Sequence, residues 1–410
     1  MNSKVRAQLS VMMFLEFFIW GGWFVTLGTF LGSSVGASAG EIGKAFSTQS
    51  WGAIIAPFII GLIADRFFNA ERILGVLHLA GAWLMYLMFQ TTEFDAFYPY
   101  VLGYMILYMP TLALVNSISF NQMKDPAKEF SFVRVFGTIG WILAGVLISY
   151  IFHWDSETGV STGLLRNTFL MTAIASVTLG LFSFTLPKTP PKTSRDQKIS
   201  IGDILGLDAL KLLKDRNFLV FFLSSILICI PLAFYYQNTN PFLIEIGMEN
   251  TTAKMGILGQ GSEILFMLLL PYFFKKFGFK KTIIVAMLAW GVRYLLFSFG
   301  DTGELTFLLL TGIALHGICY DFFFVSGQIY TNSKAGEAHK SAAQGLITLA
   351  TYGIGMLIGF WVAGQLTDTY MLGEGLHDWR TIWLYPSGFA MGVLLLFILL
   401  FKNEKIAYES

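Results

Sequence analysis

The side chains of this 410-residue chain that could do chemistry are polar and acidic residues set inside long apolar stretches. Gln260 and Glu263 stand three positions apart in LGQGSEILFMLLL, and they therefore share one face of a helix. A charged side chain at the centre of a bilayer costs roughly 2.5–3.5 kcal/mol on insertion scales, so a carboxyl there commonly borders a water-filled cavity. We predict that Glu263 lines such a cavity and exchanges a proton. The alternative is a structural hydrogen bond between neighbouring helices.

Two further acids also lie inside long apolar stretches. Asp321 lies among apolar residues in LHGICYDFFFVSG, and Glu16 lies among aromatic residues and glycines in EFFIWGGW. Arg134, in FVRVFGTIGW, is the cation that we expect to balance an acid in the cavity, since a buried charge requires a partner. The alternative for Arg134 is a position near the helix end, with the side chain reaching the membrane surface.

Three other ionisable residues receive a structural interpretation. Arg293 lies deep in the predicted ninth helix, where packing and pairing are expected instead of substrate contact. His78 and His316 are interpreted as core histidines whose hydrogen bonds are satisfied by neighbours. We therefore predict that proton coupling depends on the acids.

Aromatic and amide side chains lie together at the C-terminal end of the predicted seventh helix. In IPLAFYYQNTNPF, Pro231 loosens the helix, and the side chains that follow are Tyr235, Tyr236, Gln237, Asn238 and Asn240. Rings stack on planar groups and amides form hydrogen bonds with them, so this combination suits a flat heterocycle or a sugar. The alternative is an aromatic belt at the outer interface, with Asn238 and Asn240 close to water.

These residues are distributed over a chain with the composition of a polytopic membrane protein. Hydrophobic residues make up 55% of it and charged residues only 13%. Apolar runs of about 20 residues, each long enough to cross about 30 Å of hydrocarbon as a helix, recur along the sequence. The pattern predicts an all-α protein with twelve transmembrane helices, at residues 8–31, 43–63, 73–91, 97–120, 132–153, 165–186, 217–239, 255–274, 282–299, 305–328, 342–366 and 381–401.

Charge and cysteine usage narrow the class further. The formal net charge is +1, which gives no reason to expect a nucleic-acid partner. Placing both termini in the cytoplasm puts most of the 27 Lys and Arg residues on the cytoplasmic side, as the positive-inside rule requires. Cys229 and Cys319 lie within apolar helices without metal-ligand spacing, so we expect no metal, no cofactor and no redox role.

One long polar segment divides the chain into halves. We predict a six-helix bundle at residues 1–186, a cytoplasmic linker at 187–216 and a second six-helix bundle at 217–410. GLIADRFFNAER in the first half and PYFFKKFGFKK in the second resemble the loop signature of the major facilitator superfamily. Phe68 and Lys275 depart from that signature. The resemblance implies that a substrate is held near the membrane midplane while the two halves move around it.

Five segments together carry a more specific resemblance. YMPTLALVNSISF, RVFGTIGW, GQGSEILF, HGICYDFFFVSG and AAQGLITL resemble the bacterial nucleoside:proton symporter family, and the chain is most similar to a less characterised branch of it. The resemblance implies substrate-binding roles for Arg134, Gln260, Glu263 and Asp321, with Thr138 and Tyr320 as their neighbours. Ala233 and Tyr236 stand where well-studied members have Gln and Asn, so Tyr236 is expected to reshape the pocket. Glu16 stands where a neutral amide is more usual.

These inferences predict a proton-driven importer of nucleosides in the bacterial inner membrane. Glu263, Asp321 and Glu16 are the candidates for proton coupling, and the expected partners are a nucleoside, protons and the lipid bilayer. We expect the protein to act as a monomer. A symporter of a sugar or another glycosylated small molecule remains the alternative, because Tyr236 alters the pocket. A membrane receptor or a lipid-modifying enzyme is less compatible, since the chain carries neither an appended soluble domain nor a nucleophile motif.

Overall fold

The computed structural model describes residues 2–59, 68–124, 126–191, 207–335, 340–373, 375–404 and 406. Most of the first loop signature, residues 61–67, and half of the polar linker, residues 192–206, lie outside these residues. Regular structure within the described residues is helical, apart from a short antiparallel pair formed by Met371–Gly373 and Leu376–His377. The chain is therefore an almost entirely helical protein.

Eleven long helices cover most of the described residues. We number them in chain order as α1 Ser3–Gly21, α2 Ala39–Ile59, α3 Ala70–Gln90, α4 Phe94–Gln122, α5 Glu129–Ile151, α6 Leu164–Ser183, α7 Arg216–Glu245, α8 Thr251–Phe299, α9 Thr306–Ala335, α10 Ala342–Thr369 and α11 Trp379–Leu400. Nine helices in the described part of the chain, α3 to α11, are long and apolar enough to cross a membrane. A helix rises about 1.5 Å per residue, so about 20 residues are sufficient for one crossing.

The helix α8 is interrupted once. Gly278 has φ 76° and ψ 172°, a backbone conformation that interrupts the helix and that glycine adopts without a steric penalty because it has no Cβ. Gly278 lies inside PYFFKKFGFKK, at the point where the sequence predicts a loop between two helices. Residues before and after Gly278 can therefore act as two separate membrane segments.

Three helices contain widened π-helical turns near the predicted site residues. They lie at Met255–Gln260 in α8, Asp321–Val325 in α9 and Leu349–Gly355 in α10. Such turns occur frequently at functional sites, because they change the direction of side chains without ending the helix. Gln260 ends the first of these turns and Asp321 begins the second.

The chain forms two compact units. The first unit consists of Met1–Ala37, Thr48–Ile199 and Glu249–Gly256. The second consists of Ser38–Ser47, Ser200–Met248 and Ile257–Ser410. Each unit thus contains a short segment from the opposite half of the sequence.

Carboxylates hold both of these segments at the start of a helix. In the second unit, Asp368 accepts hydrogen bonds at 2.8 Å from the backbone N–H groups of Ala39 and Gly40. In the first unit, Asp155 accepts one at 2.9 Å from the N–H of Thr252. The first N–H groups of a helix have no partner within the helix, and a negative charge there is favourable. These contacts explain why each segment belongs to its unit.

A charged cluster joins three chain segments of the second unit. Asp215 caps α7 by accepting from the N–H of Phe218 at 2.9 Å, and it also pairs with Lys334 at 3.0 Å. Lys334 in turn pairs with Glu404 at 2.8 Å. Partial burial alone would raise the pKa of Asp215, but the hydrogen bonds from Phe218 and Lys334 hold it below its ordinary value. The cluster thereby links the start of α7, the end of α9 and the segment after α11.

Candidate functional site

Glu263 is the centre of a polar group in the second unit. Its Oε1 accepts a hydrogen bond from Nε2 of Gln260 at 3.1 Å, as their spacing on one helical face predicts. Nε2 of His316, on α9, lies 2.9 Å from the same oxygen. The Glu263 side chain is 16% exposed, whereas His316 is 2% exposed. Glu263 therefore stands at the border between the packed helices and an accessible space.

Close packing of α8 against α9 brings Glu263 and His316 together. Gly317 has no side chain, and its N–H donates to Oγ of Ser262 at 2.8 Å. A Cβ at Gly317 would lie 2.5 Å from the carbonyl carbon and oxygen of Ser262, and 2.8 Å from the backbone nitrogen of Glu263. Small residues permit this approach of two membrane helices. Gly317 thus fixes the distance between the helix that carries Glu263 and the helix that carries His316.

Arg293 extends the group to the part of α8 that follows Gly278. Its side chain is fully buried, and its NH2 lies 3.1 Å from Nδ1 of His316. Its Nε donates to the carbonyl oxygen of Gly312 at 2.9 Å. We call Arg293, His316, Glu263 and Gln260 the polar chain.

The ring of Tyr235, on α7, covers two members of the polar chain. The guanidinium carbon of Arg293 lies 3.5 Å from the centre of this ring, within the range of a cation–π interaction. The ring of His316 stacks on Tyr235 with centroids 5.0 Å apart and planes inclined by 21°. Tyr235 therefore restricts the orientation of both side chains.

The structure identifies the partners of Arg293 and His316. The sequence suggested packing and pairing for Arg293, and a core role with satisfied hydrogen bonds for His316. Both are buried, but together they connect to Glu263 by hydrogen bonds. The sequence offered only a weak signal, namely ionisable residues in apolar helices, because contacts between helices are not encoded by spacing along one helix.

The other predicted site residues of the second unit lie on α7 and α9. Tyr236 follows Tyr235 in α7, with ring centroids 5.7 Å apart. Tyr320 and Asp321 are consecutive in α9, and Asp321 is fully buried at the start of its π-helical turn. The hydroxyl of Tyr320 forms a hydrogen bond with that of Tyr352 on α10.

A small cleft lies in the second unit beside Tyr352. It is bordered mainly by residues of α9 and α10, among them Phe324, Gln328, Gln344 and Thr348. The hydrogen bond between Tyr320 and Tyr352 links the wall of this cleft to the predicted substrate residues.

The amides at the end of α7 are buried. Asn238 and Asn240 are 3% and 0% exposed, and Nδ2 of Asn238 donates to Oγ1 of Thr367 at 2.9 Å. The alternative in which these two amides face outer water therefore does not hold. At Asn238, a buried amide needs such a partner, and Thr367 supplies it.

Glu16 is the predicted coupling acid of the first unit. Glu16 is fully buried, with Nε2 of His78 at 2.9 Å from its Oε2 and Oγ1 of Thr111 donating to its Oε1 at 2.6 Å. The hydroxyl of Tyr108 donates to the backbone carbonyl of Glu16 at 2.8 Å. His78 is thus a direct partner of an acid, which its interpretation as an ordinary core histidine did not include.

Arg134 and Thr138 also belong to the first unit. They are four residues apart on one face of α5, and both are partly buried. The guanidinium carbon of Arg134 lies 3.9 Å from the ring centre of Phe17 on α1. Gly140 lets these helices approach, because a Cβ there would lie 2.2 Å from the carbonyl oxygen of Phe14. The aromatic ring therefore holds the cation against α1.

The described residues offer no group of three or more His, Cys, Asp or Glu side chains that could hold a metal ion. Cys229 and Cys319 are buried free thiols.

Comparison with known proteins gives matches along almost the whole chain. A family profile described as "Nucleoside H+ symporter" matches residues 1–406. YegT of Escherichia coli (strain K12), which carries a provisional name as a nucleoside transporter, is 44% identical over 98% of this chain and 95% of its own length. The xanthosine permease of the same organism is 32% identical over 99% of both chains. A crystal structure of the nucleoside transporter NupG matches with a TM-score of 0.86 and 30% identity, over 98% of this chain and 100% of that chain.

Proposed function

Because this chain belongs to the nucleoside H⁺ symporter family, we propose that it imports nucleosides together with protons, by alternating access. It is a membrane transporter and not an enzyme. The resemblance described from the sequence is thereby confirmed at the level of the family. The proposal extends to the bacterial inner membrane, with both termini in the cytoplasm and the protein acting as a monomer.

The geometry of Glu263 is the observation that carries the proposal. Its Oε1 has two partners, while within the described residues no hydrogen-bond partner reaches its Oε2. A partly exposed carboxyl with one open oxygen can take a proton or accept a hydrogen bond from a hydroxyl or amino group of a substrate. Neutralising the acid lowers the cost of enclosing it in an apolar surrounding, which couples protonation to closure of the cavity.

We propose seven substrate-binding residues: Arg134, Thr138, Tyr236, Gln260, Glu263, Tyr320 and Asp321. Proton coupling is assigned to Glu263, with Asp321 and Glu16 as further candidates. The buried state of Asp321 and Glu16 supports this assignment, because an ionisable group inside a membrane protein generally has a function.

We also propose the finer architecture that the sequence suggests. It comprises twelve transmembrane helices in the fold of the major facilitator superfamily, with six-helix bundles at residues 1–186 and 217–410 and a linker at 187–216. The lengths of α1 and α2, and the break at Gly278 in α8, support the count of twelve.

Uptake by purified protein in proteoliposomes tests the function. With an inward proton gradient, we expect accumulation of labelled nucleoside, and unlabelled nucleosides should compete with it while free bases, mono- and disaccharides do not. The physical reason is that rings, amides and acids at one site recognise the base and the ribose together. Competition by sugars alone would instead favour the alternative, a symporter of a sugar or another glycosylated molecule.

A further inference from the structure

Arg293 is a buried charge that determines the tautomer of the neighbouring His316. None of its surface is exposed, and a guanidinium is protonated at every physiological pH and has only donors. Such a charge is costly inside a protein unless acceptors or a counter-charge surround it. The carbonyl of Gly312 and Nδ1 of His316 are the acceptors that the structure places at hydrogen-bond distance.

The position of Arg293 fixes the tautomer of His316. Because Arg293 can only donate, Nδ1 of His316 must accept, and the proton of the neutral ring is then on Nε2. A doubly protonated ring would direct an N–H group at the guanidinium, which is electrostatically unfavourable. His316 is therefore a neutral ring with its N–H directed at Glu263.

The two oxygens of the Glu263 carboxyl therefore have different surroundings. Its Oε1 accepts from Nε2 of Gln260 at 3.1 Å and lies 2.9 Å from Nε2 of His316, while no donor among the described residues reaches its Oε2. The two donors stabilise the ionised carboxylate, and a proton that arrives must bind at Oε2.

We propose that Arg293 and His316 are positioning residues for proton coupling, which occupy Oε1 of Glu263 and reserve Oε2 for the proton or the substrate. This inference rests on the proposed symport function. It adds that the proton does not pass through His316, whose role is that of a fixed donor. Removing either residue therefore changes the pH range of transport before it changes the recognition of the nucleoside.

Other titratable groups adjoin this site from the helices packed against α8. The helix α7 contributes Tyr235 and Tyr236, and a phenol is ordinarily neutral near pH 7. Cys319, Tyr320 and Asp321 follow His316 in α9. Of the groups named here, His316 is the titratable side chain within hydrogen-bond distance of Glu263. Its removal should therefore have the largest effect on the pH dependence of uptake.

The experiment measures the pH profile of nucleoside uptake for the wild-type protein and for His316→Ala. Loss of one donor to a carboxylate should keep the acid protonated at higher pH, which moves the alkaline limb of the profile upward by about one unit. His316→Gln, which can still donate to Glu263, should return the limb towards its wild-type position. Arg293→Met should move it in the same direction as His316→Ala, since His316 then loses its fixed tautomer.

The comparison of His316→Gln with His316→Asn carries the test if the alanine variant does not fold. The shorter amide of Asn cannot reach Oε1 of Glu263, so of these two variants His316→Asn should shift the alkaline limb of the pH profile and His316→Gln should not. The KM for nucleoside should stay within about threefold of the wild-type value in both variants. Coincident profiles for the wild type and the removal variants would overturn the inference. Absence of proton-driven uptake in the wild-type protein would instead overturn the proposed function.

Discussion

Glu263→Gln is expected to abolish accumulation of nucleoside against its gradient while leaving exchange of nucleoside across the membrane. Gln keeps the size of the side chain and its ability to form hydrogen bonds, but it cannot take up and release a proton. A gradient of one pH unit corresponds to about 1.4 kcal/mol, and so supports about tenfold accumulation for one coupled proton. The measurement is the ratio of internal to external labelled nucleoside in proteoliposomes, which should fall to about one.

Glu304→Gln is the matched control for this variant. Glu304 is an exposed acid in the segment before α9, and the same change of charge there should leave accumulation intact. Full accumulation by Glu263→Gln would remove Glu263 from the coupling role, and Asp321 and Glu16 would then be the acids to examine.

Gly317→Ala is expected to reduce the initial rate of uptake at least about tenfold. The added Cβ would lie 2.5 Å from backbone atoms of Ser262, and backbone cannot yield as the end of a flexible side chain can. The helices α8 and α9 must separate, which lengthens the contact between Glu263 and His316. Displacements of about 1 Å at a functional site can cost about a hundredfold in rate.

Gly261→Ala is the matched control for this variant. Gly261 lies in α8 between Gln260 and Ser262, yet a Cβ there would meet nothing within 4 Å. Alanine is also the better helix former, so this variant should retain expression and uptake. Equal rates for Gly317→Ala and the wild-type protein would show that the close approach of α8 and α9 is not required.

Relations within one helix were predictable from the sequence, as the pair formed by Gln260 and Glu263 shows. Their spacing fixes a shared face, and the hydrogen bond between them follows directly. The existence of long apolar helices was predictable for the same reason, since a segment must satisfy its own backbone hydrogen bonds in a membrane.

Relations between helices were not predictable from a single sequence. His316 belongs to a different helix from Glu263, and the sequence predicted that Arg293 packs and pairs without identifying His316 as its partner. Which polar side chains meet depends on helix rotation and on close approaches such as that at Gly317. His78 and Glu16 show the same limit in the first unit, because their contact joins α1 to α3.

The helix boundaries and the contacts between distant segments were also not predictable from the sequence alone. The predicted loop between the eighth and ninth helices is reduced to a single non-helical residue, Gly278. The caps formed by Asp155 and Asp368 join segments that are far apart in the sequence, which spacing along the chain does not reveal. These contacts depend on side chains far apart in the chain.

The acids Glu16 and Glu263 differ in a way that bears on coupling. Both carboxylate oxygens of Glu16 have donors, from His78 and Thr111, whereas one oxygen of Glu263 is open within the described residues. An acid with an open oxygen can exchange a proton without first breaking a contact. Glu263 is therefore the first candidate for the coupled proton, and the role of Glu16 stays a prediction.

Proton movement driven by nucleoside tests the central claim most directly. Proteoliposomes containing a pH-sensitive dye, without an imposed proton gradient, receive external nucleoside, and the internal pH is followed. Acidification by the wild-type protein, absent with Glu263→Gln, is the result that coupling through this carboxyl predicts. Entry of labelled nucleoside with no change of internal pH in the wild-type protein would contradict it.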